Sequence, residues 1–106
     1  MARRRMLEDW EISDILEGIN DEVEWLRFHD DAYIEAIDVR RSTDCDKMDK
    51  AYANIIISEY QKTIYRIRNR LYILNGVELS DSRNKLINEW KNFISNQIAL
   101  LNGRRN

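Results

Sequence analysis

The chain has 106 residues, with 17 Lys plus Arg against 19 Asp plus Glu for a net charge of −2, one His, one Cys, three Gly and no Pro. That length fits a single domain, and a chain so poor in Gly and Pro lacks the punctuation of hairpins, β-turns and glycine-rich ligand loops. Sandwiches, barrels and dinucleotide-binding folds are disfavoured, and a phosphate-cradling loop is excluded because Gly18, Gly76 and Gly103 are not clustered.

Residues 1–7 form a basic tail through Arg3, Arg4 and Arg5. It begins like the charged region of a secretory signal, but Glu8, Asp9 and Glu11 follow where an apolar stretch would have to stand. Apolar runs such as Ile55-Ile56-Ile57 fall far short of the roughly 20 residues that span a bilayer, so no membrane segment is expected. Cys45 has no second thiol to pair with, which suits a reducing compartment and points to the cytoplasm.

Residues 8–41 form an acidic helical segment. Ile12, Leu16, Ile19, Val23 and Leu26 alternate spacings of four and three, and Tyr33 and Ile37 continue the register. His29-Asp30-Asp31 offers N-cap residues in the middle, so the segment is either one long helix or two in line. Gly18 inside it costs about 1 kcal/mol relative to Ala.

The polar stretch Arg40 to Asp44 breaks the pattern, and Ser42 or Thr43 is expected to cap a long helix over 44–75. Its seam of Ala53, Ile57, Tyr60, Ile64, Ile67, Leu71 and Leu74 keeps the same alternation, while Met48, Tyr52, Ile55 and Ile56 widen the apolar face upstream. Asn75-Gly76 supplies the left-handed stop, and such a helix would be roughly 45 Å long. Ser80 or Ser82 then caps a C-terminal helix over 81–102, with Leu86, Ile87, Trp90, Phe93, Ile94, Ile98 and Leu101 on its apolar face.

Short connections between long helices imply antiparallel neighbours. The expected fold is therefore all-α: an elongated bundle of three to four amphipathic helices with a long antiparallel hairpin, forming one domain. Three wide apolar faces exceed what so short a chain readily covers, and the same seam spacing pairs helices of separate chains, so a homodimer is compatible with it.

The net charge conceals a division. Residues 8–38 hold twelve acids against Arg27 alone, whereas residues 39–106 carry thirteen bases and seven acids. Asp14, Glu17, Asp21 and Glu24 form an acidic stripe, and Lys62, Arg66 and Arg70 form a basic one. Either the two stripes face each other across a helix pair and fix its topology, or one engages a partner: the acidic stripe a basic groove, the basic stripe phosphates. Arg104 and Arg105 add a second basic end. Asn84, Asn88, Asn92 and Asn96 line one polar side of the C-terminal helix despite the low helix propensity of Asn, either as a neutral solvated face or as a contact surface.

Catalytic chemistry has little to draw on. His29 and Cys45 are the only imidazole and thiol, so a nucleophile–base pair or a closed Cys/His zinc site is not expected; both residues read as cap and core filler. Asp21-x-x-Glu24 and Glu35-x-x-Asp38 are the remaining carboxylate pairs, and facing pairs of this kind can hold Mg²⁺. They resemble the paired acidic motifs of the all-helical MazG-type nucleotide pyrophosphohydrolases, which would imply Mg²⁺-dependent pyrophosphate release. The resemblance covers under twenty residues, has Asp21 where the family's motif has Glu, and leaves a short separation for a helix reversal. The leading expectation is a non-enzymatic, cofactor-free interaction protein that regulates, inhibits or assembles by occupying a partner protein's surface. Nucleic-acid binding through Lys62, Arg66 and Arg70 is the alternative, and the small, Ile- and Asn-rich chain is of the type that phages and mobile elements encode.

Overall fold

A computed structural model gives the architecture, and it describes residues 6–103. Among them all regular structure is helical: α1 Asp9–Phe28, α2 Asp30–Arg41, α3 Lys47–Ile73 and α4 Asp81–Leu101. The all-α elongated bundle expected from the sequence is what forms, with extents of 53 × 29 × 25 Å. No helix of the described residues is long and apolar enough to cross a membrane.

The acidic segment is two helices in line. The backbone ladder runs through the junction, His29 N–H to Trp25 O at 3.1 Å and Tyr33 N–H to His29 O at 3.0 Å. His29 itself lies at φ −97°, ψ 10°, outside the helical well, and marks the bend between α1 and α2.

α3 runs antiparallel to this pair, as its contacts show: Tyr60 stacks on Tyr33, while Arg66 and Arg70 lie against Glu22. It begins three residues later than expected. Asp46, not Ser42 or Thr43, is the N-cap, accepting from Asp49 N–H at 2.8 Å, because the Ser42 hydroxyl is engaged by Asp44 N–H within the turn. The helix ends at Ile73, and Gly76 takes φ 81°, the left-handed conformation that Gly adopts without strain. Ser80 caps α4, accepting from Arg83 N–H.

α4 lies antiparallel to α3 and alongside α1 and α2. Arg83 bonds Asp9 and Ser13 at one end, and Arg41 reaches the carbonyls of Leu100 and Leu101 at the other, a cation placed on a helix C-terminus. Every member of the α3 seam, Ala53 through Leu74, is buried, as are Ile19, Val23, Leu26, Tyr33 and Ile37 opposite. On α4 the apolar face is shifted: Leu86 is exposed, and Gln97 occupies a core position beside Ile94 and Trp90. Met48, Tyr52 and Ile55, which widen the α3 face, remain uncovered.

Candidate interaction surface

Four features carry the chemistry of the molecule: a buried polar cluster, a cross-helix ion pair, an acidic face and two grooves. The buried cluster joins α2, α3 and α4 at the bend. Gln97 Nε2 donates to Asp30 Oδ1 and to the Tyr60 hydroxyl, each at 2.5 Å, and the Tyr33 hydroxyl donates to Gln97 O at 3.2 Å. The Tyr33 and Tyr60 rings lie parallel with centroids 3.7 Å apart. Burial, reinforced by the Asp30 carboxylate, pushes the Tyr33 phenol up to about 12. Burial likewise raises Tyr60 well above the ordinary range, partly offset by the Gln97 hydrogen bond. Both phenols are therefore neutral hydrogen-bonding groups at any physiological pH. The cluster fixes the relative height of three helices, since slipping any one of them leaves buried polar atoms unpaired.

The basic stripe is paired internally. Arg66 Nε bonds Glu22 Oε2 at 2.8 Å, and Arg70 pairs with the other oxygen of the same carboxylate, whereas Lys62 pairs with Glu59 on its own helix. Glu22 was not among the stripe residues singled out; it flanks the apolar seam rather than lying on the outer face, one turn after Gly18. That glycine explains itself here. A Cβ at position 18 would stand 3.2 Å from Arg70 Nε, so the missing side chain lets the guanidinium lie across α1 to reach Glu22.

The acidic stripe turns outward. Asp14, Glu17, Asp21 and Glu24 are all exposed, and among the described residues none of the four takes part in a hydrogen bond or ion pair. Asn84, Asn88, Asn92 and Asn96 are exposed as well, with only Asn84 engaged, its side chain donating to Leu79 O. Arg3, Arg4, Arg5, Arg104 and Arg105 lie outside the described residues.

Carboxylates 21, 24, 35 and 38 are not gathered into one site. The first pair lies on α1 and the second on its in-line continuation, and among the described residues no group of three or more His, Cys, Asp or Glu is placed to hold a metal ion. His29 caps α2 by position and places Nδ1 2.9 Å from Trp25 O, stacked on the Trp25 ring; Cys45 is half-buried and free.

Two grooves of about 510 Å³ flank α3. The first, between α2 and α3, has Ala32, Ala36 and Val39 on one wall and Ala53 and Ile56 on the other, with Cys45, Glu35, Asp49 and Tyr52 completing it. The second, between α3 and α4, carries Arg68 and Lys91 beside Tyr72 and Asn75. The grooves are thus opposite in charge. Trp25 and Phe28 at the bend and Met48, Tyr52 and Ile55 on α3 leave large apolar side chains in the open; Phe28 is 84% exposed and Met48 81%.

The chain matches no family model, no curated protein and no solved structure.

Proposed function

We propose that this protein is a non-enzymatic interaction module that regulates, inhibits or assembles a partner protein by occupying its surface. The observation that carries the reading is the asymmetry of the two charge stripes: the three cations of the α3 stripe all have internal partners, Arg66 and Arg70 sharing Glu22 and Lys62 held by Glu59, while the four exposed carboxylates of the α1 stripe have none among the described residues. Like charges at this spacing on one helix repel one another, so the stripe does not stabilise the fold and is available to steer and orient a partner. The lone, unpaired Cys45 supports a cytoplasmic setting.

The test is capture from host lysate with the tagged chain, comparing it with a variant carrying Glu17→Lys, Asp21→Lys and Glu24→Lys. A near-stoichiometric protein should be retained by the parent and lost by the variant, with helical content and melting temperature the same for both. Equal retention by both chains would contradict the assignment of the acidic face.

A second reading, nucleic-acid binding, is favoured by one observation. The groove between α3 and α4 sets Arg68 and Lys91 beside Tyr72, cations and an aromatic ring together. Affinity for a single-stranded oligonucleotide that falls steeply with salt and drops on Arg68→Ala would support it; a flat salt response would remove it.

A further inference from the structure

We infer that the groove between α2 and α3 is a seat for a cationic amphipathic helix of a partner protein, an inference that rests on the interaction reading above and names the chemistry of the partner. Three observations converge. Each wall of the groove carries small side chains, Ala32 and Ala36 on α2 and Ala53 on α3, so an incoming backbone can approach closely. Tyr52, which lines the groove, stands on α3 between two further large apolar side chains at the spacing i, i+4, i+7: Met48, Tyr52 and Ile55 are 81%, 66% and 61% exposed, a run left open among the described residues. Singly exposed apolar residues are ordinary, whereas a contiguous strip beside a groove is the usual mark of recognition.

Charge selects the occupant. The groove's charged lining groups, Glu35 and Asp49, are both carboxylates, and no Lys or Arg among the described residues lines it. A helix flanked by Lys or Arg would complement both rims. A second copy of this chain in a two-fold arrangement would instead present the same acidic patch to itself, which like-charge repulsion disfavours.

The test uses the full chain and a labelled synthetic peptide of about 18 residues with Leu at i, i+3, i+4 and i+7 and Lys elsewhere. Two controls accompany it: the same peptide with Glu in place of Lys, and a scramble of the Lys peptide. The Lys peptide should bind at least about tenfold more tightly than either control, a difference of about 1.4 kcal/mol. Met48→Ser, Tyr52→Ser and Ile55→Ser together should remove that advantage. Glu35→Lys with Asp49→Lys should invert the preference toward the Glu peptide; Glu35→Lys alone, away from the α3 cap, should halve or better the Lys-peptide preference if the double variant folds poorly. Equal binding of the Lys peptide and its scramble, or indifference to the triple serine variant, would overturn the assignment. So would a concentration-dependent dimer that the serine variant dissociates, because a second copy would then fill the groove. A lysate partner that needs the α1 carboxylates but ignores the serine variant would also overturn the groove while leaving the interaction reading intact.

Discussion

The two ends of this bundle use the same helix, α3, in opposite ways. Along its C-terminal half, Ile64, Ile67 and Leu71 are buried between α1 and α4, and the flanking cations are matched to Glu22. Along its first turns, α3 runs on past the end of α4, whose last turn lies level with Ile37 and Gln61. There, among the described residues, α2 is the one helix alongside, and the apolar side chains of Met48, Tyr52 and Ile55 stand in the open. The contrast teaches that apolar character alone does not make a core residue: Ala53 and Ile57 are buried on the open half while Tyr65 and Tyr72 stand exposed on the covered one, so the side of the helix decides together with the neighbouring helices, and the surplus is what a small chain has available for recognition.

The comparison is broken most directly by paired truncations. Ile67→Ala in the three-helix half should cost about 2–5 kcal/mol, the lost transfer energy plus a cavity, whereas Ile55→Ala should stay within about 0.5 kcal/mol, both read from urea unfolding. Similar losses at both positions would erase the distinction. At the boundary, Gln97→Leu should cost about 1–3 kcal/mol, because it strips the donor from Asp30 and Tyr60 together.

Alkaline titration sharpens the same boundary. In the unfolded chain Tyr33 ionises near 10; in the folded chain it holds its proton to about 12. The folded state therefore binds more protons across that interval, and stability is fully present below pH 10 and declines as pH rises toward 12. The ultraviolet phenolate signal of the buried pair Tyr33 and Tyr60 should appear only as the protein unfolds. The smallest effect is expected at the cross-helix pair. Glu22→Gln should cost about 1 kcal/mol or less, since Arg66 is exposed and Arg70 partly so, and added salt should shrink the difference in melting temperature.

How much of this was legible beforehand follows from the kind of signal each feature leaves. The α3 seam was fully readable because a long alternation of four and three has no strand counterpart. The break at His29 is legible only as one of two alternatives, because its capping residues sit inside an uninterrupted apolar register and the hydrogen-bond ladder continues through it. The cap of α3 was misplaced because Ser42, Thr43, Asp44 and Asp46 all have capping chemistry, and the turn's own hydrogen bond at Ser42 decided among them. Gln97 left a trace that was missed: it occupies the slot in the run Ile87, Trp90, Ile94, Leu101 where the spacing calls for an apolar residue. Glu22 left less, since the partner of Arg66 and Arg70 depends on which side of α1 faces α3, and a stripe chosen on the outer face names its neighbours instead. The outward aim of Asp14, Glu17, Asp21 and Glu24 was likewise a matter of helix rotation, which spacing alone does not fix.

The division between a folding half and a recognition half is tested most directly by urea unfolding of the chain carrying Met48→Ser, Tyr52→Ser and Ile55→Ser, at two protein concentrations. The account predicts a free energy within about 0.5 kcal/mol per site of the parent, an unchanged dependence on urea and no effect of concentration. A loss of several kcal/mol, or a stability that rises with concentration in the parent alone, would show that these side chains belong to a core after all.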